Sequence, residues 1–329
     1  MPARAKYTQA SLGIPEHMLT PFYGHTRHPT QSGLMTLGKI AALVRTGHGQ
    51  GHLSRYKPWL RVEKRDLSPV SPMGHLPSPE LGHMHHYRSR LERHTLLIIK
   101  WLGAYDARDQ FPAWPWDHHH PLYGLPGHES VTHVTGLATY AAQCGVTLRV
   151  SVIRPIPTID ILVTWRNPNG TFDLSAIQCK PAGRMQGPNS WTTLEGLELL
   201  RRYAKSIDAS HRIVNDLSKH DQLLVNLDAL RPAISRRELK KVQASTLYLT
   251  LVEACHRWAY QQPLHDVAER TARKLKVDIR SANRLLSIAL WHQDLDHDLS
   301  IPREPWRPLV AGGRALRETL KAQWKGSTQ

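Results

Sequence analysis

Thr158–Lys180 reads TIDILVTWRNPNGTFDLSAIQCK, and this stretch decides the fold. Thr158–Arg166 alternates apolar and polar side chains with a β-branched bias, and Thr171–Lys180 returns in the same manner. Between them stands Asn167-Pro168-Asn169-Gly170. Proline fixes φ there, while asparagine and glycine tolerate the positive φ of a tight reversal. The pattern predicts a β-hairpin. With the turn centred near Pro168–Asn169, pairing sets Asp160 opposite residue 177, give or take one residue of register. Strand side chains repeat every two residues, so Gln178 and Lys180 share a face. An acid, an amide oxygen and a lysine then occupy one patch of sheet. That donor set suits a hard divalent cation with an activated water beside it.

Upstream, Tyr87–Leu102 has helical spacing and begins with Ser89-x-x-Glu92, a capping-box pattern. Leu96 and Ile99 lie four and seven residues after Glu92, which places Glu92 on their inward stripe. A carboxylate among such neighbours is costly unless it is paired or ligates a metal. Each residue also has a plainer reading. Asp160 would cap a bend near Pro157, Gln178 would be an ordinary polar strand residue, and Lys180 a solvated strand end. Glu92 would pair with Arg88 or Arg90. For any single residue the plainer reading is the commoner one; four such residues in order around one hairpin favour a shared site.

The remaining chain organises around this centre. Residues 1–36 read as an arm without sustained periodicity. Leu37–Thr46 is a short helix, Gly47–Pro58 a Gly/His loop, Trp59–Val62 a short strand, and Ser68–Pro79 a proline-rich connector. Val146–Ile153 is a β-branched run. Leu194–Ser206 is an amphipathic helix and His211–Val214 a further strand. After Leu223–Leu230 the pattern is helical: Ala244–Tyr260, Leu264–Leu275 and Ile279–His292, with short links that fit a helix-turn-helix or winged-helix unit. The expected division is a core domain at 37–230, a helical domain at 231–308 and a basic tail at 309–329.

The 329 residues suffice for two domains with real cores, and 40% hydrophobic with 21% charged residues is globular rather than disordered. The formal net charge is +16, a field that attracts polyanions, nucleic acid being the commonest. The ends carry it: 12 basic against 4 acidic residues in 1–90, 18 against 10 in 231–329, and 13 of each between. Cys144, Cys179 and Cys255 form no CxxC pair, which argues against a disulfide framework or zinc finger and fits a reducing compartment. The N-terminus has no apolar signal core. The densest apolar cluster, Leu96–Ile99, falls far short of the roughly 20 residues of a membrane span. A soluble cytoplasmic protein is expected.

The order Glu92, Asp160, Gln178-x-Lys180 resembles that of restriction-endonuclease-like nucleases, and more closely that of TnsA-like endonuclease subunits of heteromeric transposases. The resemblance rests on Gly47–Leu60 (GHGQGHLSRYKPWL), His86–Leu97 (HYRSRLERHTLL), Asp109–Pro112, Ile159–Val163, Ile177–Pro181, Leu197–Tyr203 and Val225–Leu230. It covers about residues 38–235. Gln-x-Lys is the most specific of these signals, since most relatives of the wider fold carry Asp or Glu there. The resemblance implies an α/β (α+β) nuclease domain, a mixed sheet flanked by helices, followed by a helical winged-helix-like domain. It implies Mg²⁺-dependent cutting of the 5′ strands at transposon ends, with Mn²⁺ able to substitute. Asp160, Gln178 and Glu92 would be the metal ligands, and Lys180 would orient and help deprotonate the attacking water. The implied partners are double-stranded DNA at the transposon ends, a DDE-type, TnsB-like transposase subunit and an AAA+, TnsC-like regulator.

Two departures stand out. Asp109 replaces the Glu common in relatives, and Glu198 with Leu200 replaces a pair of glutamates, so that a supporting ligand is absent or supplied by Glu195. Two other functions remain open on these residues, a stand-alone restriction or repair nuclease and a non-catalytic DNA-binding adaptor. The histidines (His83, His85, His86, His118, His119, His120) lack HExxH or finger spacing and read as polar loop residues, while the His-rich segment 114–146 has no assigned role. Trp114 and Trp116 read as an aromatic lid. Arg270, Arg273, Lys274, Lys276, Arg280 and Arg284 form a basic helical surface.

Overall fold

The computed structural model describes residues 37–62, 71–130, 133–143, 156–186 and 190–326. The arm expected at 1–36 and the run Val146–Ile153 lie outside these residues.

The hairpin is the centre of the fold. Strands β6 (Thr158–Arg166) and β7 (Phe172–Cys179) pair antiparallel with Ile161 opposite Ile177. Continuing that register sets Asp160 opposite Gln178, one residue from the position the turn suggested. The turn closes through Asn167 N–H donating to the Thr171 carbonyl at 2.8 Å, and Gly170 takes φ +88°, which glycine adopts without steric cost. Strand β3 (Asp106–Pro112) pairs antiparallel with β6, and β8 (Ala209–Val214) pairs parallel with β7. The sheet order is β3-β6-β7-β8.

Helices cover both faces. Helix α2 (Arg90–Trp101) and α5 (Asp221–Leu230) share a core cluster with Ile161, Val163, Trp165, Ile177 and Cys179. Helices α3 (Leu137–Gln143) and α4 (Ser190–Ser206) share another with Leu162, Leu174 and Ala176. From residue 161 onward odd and even residues alternate between the two clusters, the strand period made visible; Ile159, near the start of β6, is the exception. A third cluster packs Ile40 of α1 (Leu37–Arg45) with Trp59, Trp114, Trp116 and Ile156.

Several local expectations need correction. Trp59–Val62 is not a strand; the Trp59 ring is buried edge-on against Trp114, 5.1 Å between centroids. The supposed connector ends in β1 (Gly74–Ser78), which forms a two-stranded sheet with β2 (His83–Tyr87). Pro77 is accommodated because a two-stranded sheet has only edge strands. Strand β3 was legible only as a short motif, because Asp106, Arg108, Asp109 and Gln110 hide a segment in which every residue is buried.

The C-terminal region consists of α6 (Arg236–Gln243), α7 (Thr246–Trp258), α8 (Leu264–Lys274), α9 (Ile279–His292) and α10 (Gly313–Lys325). Ser235, Ser245 and Asp278 cap α6, α7 and α9 through their side chains. Among the described residues no strand follows β8, so the wing of a winged helix is absent there. Short β4 (His118–His119) and β5 (His133–Val134) complete the elements. No helix among the described residues is long and apolar enough to cross a membrane.

Candidate active site

Ser89 caps α2, its Oγ accepting from Glu92 N–H at 3.1 Å. The Glu92 carboxylate folds back over the same turn. Its Oε1 accepts from Ser89 Oγ at 3.0 Å and its Oε2 from Arg88 N–H at 2.9 Å. Glu92 thus meets the backbone of Arg88 and the Ser89 hydroxyl of its own N-terminal turn, and is only 7% exposed. Burial, and then the Asp160 charge, push its pKa up to about 7, against those hydrogen bonds and Lys180.

Asp160 lies near the start of β6. Its Oδ2 accepts from Lys180 Nζ at 2.7 Å and from Cys179 N–H at 2.7 Å. Burial works to lower the Lys180 pKa, but the Asp160 charge and hydrogen bond outweigh it and the net shift is upward. Lys180 is therefore an ammonium at neutral pH.

Gln110 joins the helix to the sheet. Its Nε2 donates to Glu92 Oε2 at 3.2 Å, and its Oε1 accepts from Thr158 Oγ1 at 3.2 Å. Its φ of +50° is left-handed, and the β3–β6 ladder skips it. The skip reverses the facing of β3: Asp109 bonds His85 of β2, while Phe111 joins the opposite cluster together with Ile159. Gln178 is wholly buried. Its Nε2 donates to the Thr158 carbonyl at 3.2 Å, and its Oε1 has no hydrogen-bond partner.

Of the four residues singled out from sequence, Glu92, Asp160 and Lys180 act on one another through charge. Gln178 connects to them through Thr158 rather than by a direct hydrogen bond. Gln110 and Thr158 went unnoticed: a motif marked residues 109–112, but no local signal announces a left-handed glutamine. Glu198 accepts from Arg201 at 2.6 Å and Arg202 at 2.9 Å, Leu200 is in the core, and Glu195 is exposed.

The histidines are not mere loop residues. His83 and His85 belong to β2, and His85 is completely buried. Burial, with His85 beside it, pushes His83 down to about 4. His118 to His120 and His133 line an open cleft with Arg55 and Arg108, floored by Trp114 and Trp116.

A mixed four-stranded sheet covered by helices on both faces, with an acid–lysine pair at one end of its central hairpin, fits the restriction-endonuclease-like fold. No protein-family profile matches the chain. It is similar to the transposition protein TnsA of transposon Tn7 from Escherichia coli, 34% identical over 170 residues, which make up 50% of this chain and 52% of that protein. The match therefore spans about half the length of this relative, and over that span the chain is TnsA-like.

Proposed function

We propose that this chain is the DNA endonuclease subunit of a heteromeric transposase, cutting the 5′ strands at transposon ends with Mg²⁺, or Mn²⁺ in its place. The observation that carries the reading is the gathering of Glu92, Asp160 and Lys180 at one end of the β6–β7 hairpin in a TnsA-like chain. The donor set fits a hard cation: two carboxylates and the buried, partnerless Gln178 Oε1. An unpaired buried carbonyl oxygen is costly, and a cation ligand removes that cost.

Asp160 and Gln178 would hold the ion, with Glu92 bound directly or through water. When bound, the ion supplies a Lewis acid that polarises the scissile phosphate and acidifies water. Lys180, kept protonated by Asp160, orients the attacking water and offsets charge building on the phosphate oxygens. Held to the ion through water, Glu92 would be placed to take the proton of the attacking water. The water oxygen bonds to phosphorus, the P–O3′ bond breaks and the 3′-oxygen takes up a proton, leaving a 5′-phosphate and a 3′-hydroxyl.

The partners in this reading are double-stranded transposon-end DNA, a DDE-type TnsB-like transposase subunit and an AAA+ TnsC-like regulator, all in the cytoplasm. The test is a mini-element reconstitution with those proteins, scoring 5′-strand nicks. Wild type is expected to nick with Mg²⁺ or Mn²⁺, while Asp160→Ala and Lys180→Ala do not. Nicking that survives both substitutions sinks the site. Cleavage that needs no second protein sinks the transposase-subunit reading.

A further inference from the structure

On the far side of β3 from Phe111 lies a second cluster of ligand atoms, one each from His83, His85 and Asp109, all within 4.8 Å of one another. His83 Nε2 is 3.2 Å from His85 Nδ1, and His85 Nδ1 is 2.9 Å from Asp109 Oδ1. As hydrogen bonding alone this is unsatisfactory, because the single His85 Nδ1 proton must serve two neighbours. The outward nitrogen of His85, Nε2, is buried without a partner, while the His83 ring also interacts with the Ala107 backbone on β3.

The spacing suits one ion. Three atoms bound to a single Zn²⁺ at roughly 2.0–2.1 Å in a tetrahedral array stand about 3.3 Å apart. The two measured separations are within a few tenths of an ångström of that value. Asp109 is already oriented for the task, since its Oδ2 accepts from His86 N–H at 2.9 Å and leaves Oδ1 turned to the histidines. The buried Asp106 carboxylate, itself 4.0 Å from Arg108, also exerts its charge on His83.

We propose that His83, His85 and Asp109 form a site for a borderline transition ion, Zn²⁺ in particular, separate from the carboxylate site of the proposed nuclease. Two imidazoles and one carboxylate suit Zn²⁺ rather than Mg²⁺, which takes oxygen ligands. The ion ties β2 to β3 one residue before Gln110, and so steadies the residue that holds Glu92.

The experiment is titration of the EDTA-stripped full chain with Zn²⁺, followed by calorimetry and melting temperature, and with Co²⁺, followed by its visible d–d bands. With excess Mg²⁺ occupying the carboxylate site, wild type and Asp160→Ala are expected to bind one Zn²⁺ equivalent alike and to melt higher when loaded. His83→Gln is expected to weaken binding at least tenfold and to lose the Co²⁺ bands. Asp109→Asn, which keeps an oxygen for His86 N–H, is the second variant should His83→Gln fold poorly. Equal affinity in wild type and either folded variant overturns the site. So does loss of the Zn²⁺ equivalent in Asp160→Ala, which would assign the ion to the carboxylate site instead.

Discussion

Gln110 Nε2 reaches Glu92 Oε2 at 3.2 Å, and Gln110 makes this contact from a left-handed backbone with φ +50°. Such a conformation costs a non-glycine residue on the order of 1–3 kcal/mol and persists where the surroundings determine it. The two contributions separate by substitution. Gln110→Ala keeps the strain and loses both side-chain bonds; Gln110→Gly loses the same bonds and relieves the strain. Thermal denaturation is expected to show Ala as the more damaging variant, by about 1 kcal/mol. The reverse order would mean that the backbone turn is not strained.

Glu92 makes metal-free stability depend on pH. A carboxyl whose folded pKa is raised to about 7 holds its proton more tightly folded than unfolded. Its contribution is fully present below the unfolded value near 4.5 and is lost as pH rises through the folded value near 7. In EDTA the chain is expected to lose up to about 3 kcal/mol from this group between pH 5 and pH 8. Glu92→Gln should flatten that part of the curve. Urea midpoints measured across the range decide it, and an unchanged slope in the variant removes Glu92 as the cause.

What the sequence shows and hides follows from the range of each signal. The hairpin was legible because turn chemistry and strand period are local: Asn167–Gly170 fixes the register to one residue. Glu92 was legible from its stripe with Leu96 and Ile99, both wholly buried. Strand β3 was not, because Asp106 and Arg108 look like surface residues until their partners arrive from elsewhere, Leu53 N–H for one and the Pro121 carbonyl for the other. His85 was misread for the same reason, since its partner Asp109 lies on a different strand. Periodicity finds residues that face a core together, not polar groups that satisfy one another across it.

Gln178 offers a test that reads stability and metal binding separately. Replacing it by Leu removes a buried oxygen that has no partner, together with one donated bond to Thr158. The loss of the unpaired oxygen is favourable, but the Thr158 carbonyl loses its Gln178 donor, so the net effect on stability is expected to be small, a cost no larger than about 1–3 kcal/mol. If Gln178 is a metal ligand, the same change lowers Mn²⁺ affinity by about tenfold or more, since a ligand matters at least as much as the outer-shell partners whose loss has that effect. Calorimetric Mn²⁺ titration beside a urea curve reads both quantities. Unchanged Mn²⁺ affinity in a folded Gln178→Leu protein removes Gln178 from the ligand set.

Helix α10 binds the C-terminus to the sheet that carries the site. Leu320 and Trp324 are buried in the large core cluster, and the Arg212 guanidinium lies over the Trp324 ring at 5.5 Å. The Lys325 carbonyl accepts from Ser175 Oγ at 2.9 Å and from Ser210 Oγ at 2.8 Å, tying β7 and β8 together. Lys325 Nζ meets Asp173 at 2.6 Å on β7. Trp324→Ala is expected to cost about 3–5 kcal/mol by leaving a cavity the size of an indole. Ending the chain after Gly312 should cost more, and should lower the urea midpoint for the sheet as well as for the terminal helices. If far-UV dichroism of the truncated chain melts at the full-length midpoint, α10 is a separable appendage and its hydrogen bonds to β7 and β8 contribute nothing to holding the site.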